Sequence, residues 1–489
     1  MSIETSLSCN GYKIKKKYLK PSQIKEIKSE LNVNPFTYGD FGEKNEKKFS
    51  VYMESPTSLY LPRFYGQDKF GLPTNNKIEE GHPINIKFKG SLRKEQEPIV
   101  ELYKEAATNG GGLISLKCGG GKTVLALYLV ALLKVKTVVV VHKDFLMTQW
   151  RDRILEFLPG ARIGKIQQNT IDIENKDIVL AMVQSLSMKE YEPGVFSSFG
   201  LAVFDECHHL GAEVFHKSMN KVSSKYMLGL SATPDRKDGL RKVFEWYIGP
   251  MVYTTTEKNT DYIETRVYEY YNDNESYCKN EILYNGKPCM PRMINNLCES
   301  KERSSFINTL VKEEFNLGRK ILILSDRRGY LSETNKWLND NLKEGCAGLY
   351  VGGMKPNELR DSQEKDIILG TFSMASEGMD IPKLNTIILA SPKSDVVQSV
   401  GRILREKSEV RKFHPLVIDI KDTHPNMTMF AKQCDKRIVY YKKSNHDIYL
   451  YKMDGSKEKI EKRKSKNKKE KPASDKWLNS DEIQECLLD

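Results

Sequence analysis

Two groups of residues in this chain have the types and the spacing to handle a polyphosphate. The first is Gly119-Gly120-Gly121-Lys122-Thr123, reached from the apolar run Leu113 to Leu116 and followed by another, Val124 to Leu133. A short buried strand that ends in a turn with little Cβ bulk, and then enters a helix, aims several backbone N–H groups at one point. Lys122 would reach β- and γ-phosphates, and the Thr123 hydroxyl would sit on Mg²⁺. The second is Asp205-Glu206-Cys207-His208, at the end of the apolar run Leu201 to Phe204. Asp205 would hold the same Mg²⁺ through water. Glu206 would orient or deprotonate the water that attacks the γ-phosphorus.

Both groups need a sheet behind them. From about residue 86, strand-length apolar runs alternate with helical stretches at 113–116, 137–141, 178–182, 201–204 and 226–230. Continuously apolar strands separated by helices predict a parallel sheet covered on both faces, with ligands beyond the strands' carboxyl ends. A second alternation follows Ile248 to Tyr253, at 320–324, 367–369, 386–389 and 416–420, without a phosphate loop of its own. The expected organisation is α/β: an N-terminal accessory domain over 1–85, two tandem parallel-sheet domains over 86–252 and 253–450, and a Lys-rich tail over 451–489. In the first region, Phe49 to Met53 and Ser58 to Pro62 read as strands and Arg63 to Gly66 as a loop. Tyr60, Phe64 and Tyr65 beside Arg63 would either stack on bases or pack a small core.

Composition bounds the class. Of 489 residues, 39% are apolar and 29% charged, which describes a globular chain. No run reaches the length of a membrane span, and Met1 to Lys20 lacks the apolar core of a signal peptide, so an intracellular protein is expected. Nine cysteines are scattered from Cys9 to Cys486 with no Cys-x-x-Cys pair. Reduced thiols are expected, rather than disulfides or a zinc site; Cys278, Cys289 and Cys298 fit no ligand spacing. The net charge of +12 favours polyanion partners, although lysines between Lys457 and Lys471 supply much of it. Such a segment reads as a disordered, solvated tail, with nucleic-acid binding or nuclear import as alternatives.

The motifs resemble those of superfamily 2 helicases. Asp205-Glu206-Cys207-His208 is a DExH box, and Ser231-Ala232-Thr233 is similar to motif III. Leu92-Arg93-x-x-Gln96 is similar to the adenine-reading Q-motif. Gly370 to Pro382 resembles motif V, and Gln398-x-x-x-Arg402-x-x-Arg405 resembles motif VI. Leu116 stands where the full phosphate-loop pattern has glycine, as in helicase-type loops that keep only its second half. The resemblance covers about 86–420 and implies two RecA-like domains sharing one nucleotide. The first binds the phosphates and metal; the second supplies Arg402 and Arg405, whose charge would stabilise the transferring phosphoryl group. It also implies that Arg93, Gln96, Asp380 and Gln398 join the nucleotide site. His142, Lys143, Gln184, Ser185, Ser325, Arg327 and Thr371 would touch nucleic acid, contacts that position without reading sequence.

Within the superfamily, Leu228 to Gly239 and Ile248 to Tyr253 look like the XPB-type branch, with Lys237 departing from its Arg-Glu-Asp element. The stretch around Leu61 to Gly66 resembles the DNA-dependent ATPases of large cytoplasmic DNA viruses, including the poxvirus transcript-release helicase. The resemblance thus implies an ATP- and Mg²⁺-dependent DNA helicase or translocase, moving 3′→5′. It would serve transcription termination, transcript release or recombination in the host cytoplasm, with viral transcription or replication proteins as partners. Two alternatives stay open: an RNA helicase, and a nucleic-acid-binding virion protein without turnover. The 2′-OH discrimination that separates DNA from RNA is not carried by phosphate-contacting motifs.

Overall fold

The computed structural model describes residues 3–33, 48–117, 119–192, 194–206, 212–219, 221–232, 241–255, 262–379, 381, 383–406 and 410–461. Two eight-stranded sheets dominate it. The first runs, in spatial order, Thr170–Asp172, Ile163–Gln167, Ile178–Met182, Thr137–Val141, Leu201–Phe204, Tyr226–Ser231, Gly111–Ser115 and Met251–Thr254. All neighbours are parallel except the hairpin of its first two strands. The central strands are buried along their whole length, as their unbroken Val, Ile and Leu runs require. Because successive strands leave the sheet at the same edge, the phosphate loop, the Asp205–Glu206 pair and Ser231 emerge side by side.

The second sheet runs Ala347–Tyr350, Ile367–Gly370, Ile321–Leu324, Thr386–Leu389, Leu416–Asp422, Glu264–Tyr270, Asp447–Tyr451 and Lys457–Ile460. Only its last pair is antiparallel. Two expected boundaries shift. Met251–Thr254 pairs with the phosphate-loop strand, so the first sheet runs past the boundary expected after residue 252. Lys457–Ile460, read from its lysines as the start of the tail, is a strand: Ile460 pairs with Ile448 and packs on the second core. Residues 462–489 lie outside those described.

The N-terminal region forms its own five-stranded sheet of short strands, Met53–Glu54, Ser58–Leu61, Gly11–Lys15, Thr5–Ser8 and Asn75–Asn76. Arg63–Phe70 is a helix, not the expected loop. Its Gly66 is needed for packing: a Cβ there would lie 2.2 Å from Tyr12 Cγ. Arg63 is buried, its guanidinium donating to the carbonyls of Ser224, Lys225 and Asn109 on the first large domain. Tyr65 packs edge-on against Trp246 and donates to Glu30. These residues dock the accessory domain, so of the two readings left open for the cluster, Arg63 and Tyr65 follow the packing one.

The two large domains meet along the helix Asp144–Phe157, which contacts the helix Phe372–Gly378. Phe145 packs against the cores of both domains.

Candidate nucleotide site and nucleic-acid face

The phosphate loop is shaped by its glycines and braced from one side. Gly121 caps the Lys122–Leu133 helix in the left-handed region, φ 74°, where a side chain is strained. A Cβ on it would also sit 2.6 Å from Gln96 Nε2. That amide donates to Gly120 O at 3.1 Å and Gly121 O at 3.2 Å, and Arg93 Nη1 donates to Gly119 O at 2.9 Å. Gln96 Oε1 accepts from Arg93 N. Arg93 and Gln96 therefore hold the loop's carbonyls from one side, while Gly120 N–H turns back onto Lys117 O at 2.9 Å. Cys118 lies outside the described residues.

Lys122, the first residue of the helix, extends to Glu206 at 2.5 Å. Glu206 holds φ 46°, a conformation uncommon for a non-glycine residue and found where a site demands it. Thr123 follows in the first helical turn, half-buried. Asp205 is buried. Burial, then the charge of Glu206, pushes its carboxyl up to about 6. Its Oδ1 accepts from Glu206 N at 3.0 Å and its Oδ2 from Trp150 Nε1 at 2.8 Å. Trp150 was not among the expected site residues. It lies on the first helix after the Thr137–Val141 strand and nothing local marks it.

Two adjacent acids sharing one lysine gain from a further cation. Thr123 and Asp205 offer the hard oxygen donors that Mg²⁺ takes, and they emerge at the same sheet edge. Among the described residues no group of three His, Cys, Asp or Glu forms a metal cage.

The second domain faces this loop with motif VI. A Cβ placed on Gly119 would lie 4.0 Å from Arg405 Cγ, so Arg405 stands directly across the cleft. Arg402 is buried, with Nη1 donating to Met379 O at 2.9 Å. It anchors the motif V segment to the motif VI segment. Gln398 lies half-buried in the short helix Val397–Val400. Asp380 lies outside the described residues, as do Cys207, His208, Thr233 and Arg236 to Asp238.

The residues expected on nucleic acid divide. His142 follows the Thr137–Val141 strand and is buried, and its carbonyl accepts from Gln184 Nε2 at 2.9 Å, so those two are neighbours. Lys143 lies over Phe145. Thr371 is half-exposed at the start of the Phe372–Gly378 helix. Arg327 is half-exposed, bonded to Asn295 and to Pro291 O. Two expectations are corrected. Ser325 is fully buried, its hydroxyl accepting from Arg327 N, so it shapes the Arg327 loop and reaches no phosphate. Ser185 is buried as well, with Oγ accepting from Gln168 N and its carbonyl from Tyr191.

Comparison with known proteins agrees with this geometry. Residues 89–236 match the family described as type III restriction enzyme, res subunit. A protein of Acanthamoeba polyphaga mimivirus, named as an ATP-dependent RNA helicase, is 38% identical over 459 residues, covering 92% of this chain and 87% of that one. A protein of Invertebrate iridescent virus 6 named as a helicase is 26% identical, covering 81% of this chain and 90% of that one. The DNA 3′-5′ translocase XPB2 of Sulfurisphaera tokodaii is 37% identical over 171 residues, 34% of this chain and 36% of that one. With its phosphate loop, strand-end acids and opposed Arg405 in place, and a relative 38% identical over 92% of it, the chain belongs to the superfamily 2 helicases.

Proposed function

We propose that this protein is a 3′→5′ DNA helicase or translocase driven by Mg²⁺-dependent ATP hydrolysis, acting in viral transcription termination, transcript release or recombination. The observation that carries the reading is the opposition of Arg405 to the phosphate loop, with Lys122 already paired to Glu206 on the loop side. Lys122 pairs with Glu206 and neutralises it. A triphosphate competes for the lysine, which moves to the β- and γ-phosphates and frees Glu206 to orient water. Thr123 and Asp205 would hold Mg²⁺, which when bound neutralises charge on those phosphates. Arg405 adds positive charge from the other domain as the γ-phosphoryl leaves. Closure then depends on the γ-phosphate, and its loss loosens the second domain's hold on the strand.

The likeness to an archaeal DNA translocase supports DNA as the track. The name borne by the mimivirus relative favours a second reading, an RNA helicase. Steady-state ATP hydrolysis with single-stranded DNA, duplex DNA and RNA separates the two. DNA stimulation, lost by about 10²–10³-fold in Lys122→Ala and Glu206→Gln, is the expected result. Stimulation by RNA alone would replace the DNA reading. Hydrolysis by Glu206→Gln at the wild-type rate would remove the mechanism.

A further inference from the structure

The turn from Ala390 to Lys393 lies just past the Thr386–Leu389 strand and leads into the segment carrying Gln398, Arg402 and Arg405. Two buried arginines grip it from opposite faces of the second sheet. The neighbouring strand Leu416–Asp422 carries Asp419 and Asp422 three residues apart, which puts them on opposite faces. Asp422 accepts from Arg303 Nε at 2.8 Å, Arg303 Nη2 at 3.0 Å and Tyr277 OH at 2.9 Å. Asp419 accepts from Arg437 Nε at 2.7 Å, Arg437 Nη2 at 2.7 Å and Tyr441 OH at 2.9 Å. In each case the remaining guanidinium nitrogen reaches the turn. Arg303 Nη1 donates to Ala390 O at 2.7 Å, and Arg437 Nη1 to Lys393 O at 2.5 Å.

The same turn is tied to the Arg327 loop. Ser391 Oγ accepts from Asp326 N at 3.1 Å, and Lys393 Nζ pairs with Asp326 at 2.8 Å. The turn therefore stands between a loop on the nucleic-acid side and the arginines on the nucleotide side.

Stability alone does not account for this arrangement. A buried ion pair contributes little over apolar residues of the same volume, because desolvation offsets the attraction. Here both arginines use the planar fork for a carboxylate and a third donor for the turn, a geometry an ammonium cannot supply. We infer that Arg303 and Arg437 are positioning residues: they fix the Ala390–Lys393 turn so that Arg405 meets the phosphate loop when the Arg327 loop is engaged. The inference rests on the ATPase reading above.

The test uses the full chain with Arg303→Lys and Arg437→Lys, assayed well below the melting temperature of each variant. ATP hydrolysis with and without single-stranded DNA, equilibrium binding of DNA, and binding of a fluorescent ATP analogue are measured. The expected result is a DNA-stimulated kcat lower by about tenfold, with KM for ATP and DNA affinity within about twofold of wild type. Ser391→Ala keeps the inference testable if a lysine variant does not fold. It should leave unstimulated hydrolysis unchanged and lower the stimulation ratio by about threefold, a loss under 1 kcal/mol. Stimulated wild-type hydrolysis with variants that match it overturns this inference alone. A wild-type chain without hydrolysis on any polymer overturns the ATPase reading and this inference together.

Discussion

The two large domains each bury acids at or near the ends of their strands, yet they treat them in opposite ways. In the second domain Asp419 and Asp422 are saturated: each takes two donors from an arginine and one from a tyrosine. Burial works against the charge of Arg303 and Arg437, but the carboxylates more than offset it and hold both guanidinium pKa values above their ordinary range. Burial and the same carboxylates also push the Tyr277 and Tyr441 hydroxyls upward, so both tyrosines keep their protons. In the first domain Asp205 has two neutral donors, an indole and a backbone amide, and the nearest cation is bonded to its neighbour Glu206. An acid that serves the fold has its charge answered inside the fold. An acid that must take a cation from solution is left short of positive charge.

The sharpest way to break this contrast is to neutralise one acid in each domain. Asp419→Asn strips the charge from Arg437's partner and leaves a buried guanidinium uncompensated, at a cost of about 3–5 kcal/mol. Asp205→Asn removes a buried charge that the apo protein compensates poorly, so its stability should change by less than about 1 kcal/mol, in either direction. Urea unfolding of the two variants against wild type, with Mg²⁺ absent, reads both effects. Equal losses in the two variants would mean that Asp205 is as much a structural acid as Asp419. In hydrolysis the order inverts: Asp205→Asn should be inactive at temperatures where it is fully folded.

The same contrast explains which parts of the molecule the amino-acid order reveals. The central strands of both large sheets are apolar runs whose observed limits fall within a residue or two of those read from the pattern, as at Thr137–Val141 and Leu201–Phe204, whereas strands that mix in charged residues, such as Thr170–Asp172, Glu264–Tyr270, Asp447–Tyr451 and Lys457–Ile460, left no such pattern. The phosphate loop and the acid pair announce themselves because several functional residues are contiguous. Trp150, Arg303 and Arg437 do not. Their partners lie 55, 119 and 18 residues away, and a lone Trp or Arg on an amphipathic helix carries no local signal of its bond. Arg63 to Gly66 misled for a related reason: aromatic neighbours and Gly66 suggested a loop, whereas tertiary packing on Tyr12 makes that glycine a close-contact residue inside a helix. Ser325 follows a strand and Ser185 lies in the short helix Val183–Met188, and only the structure shows that both are buried with hydroxyls that accept from the backbone.

Arg63 supplies a third case, a buried cation whose partners are carbonyls. Burial alone pulls its pKa down to about 10. Arg63→Ala should cost about 2–4 kcal/mol, since three main-chain acceptors lose a donor and a cavity opens. Arg63→Met fills the volume and should cost about half as much, because the desolvation of the charge disappears with the charge. Limited proteolysis reads this locally: cleavage between the accessory domain and residue 86 should accelerate in the order wild type, Met, Ala. If Met cleaves as fast as Ala, the hydrogen bonds rather than the packing dock the domain.

The smallest effect concerns Trp150. Trp150→Phe keeps most of the ring's packing and removes the only side-chain donor to Asp205 among the described residues. Folding should weaken by about 1 kcal/mol, the value of one buried hydrogen bond. The carboxylate, now fixed only by the Glu206 amide, can rotate away from the phosphate loop, so the Mg²⁺ concentration giving half-maximal hydrolysis should rise by about threefold to tenfold. Affinity for a fluorescent nucleotide measured with EDTA should stay at the wild-type value, since Lys122 and the loop amides are untouched. A shift in nucleotide affinity without metal would place Trp150 in the packing of the loop. An unchanged Mg²⁺ requirement would show that burial and the backbone amide orient Asp205 by themselves. In that case the first domain's acid would resemble the second domain's more closely, held by the fold and indifferent to any single donor.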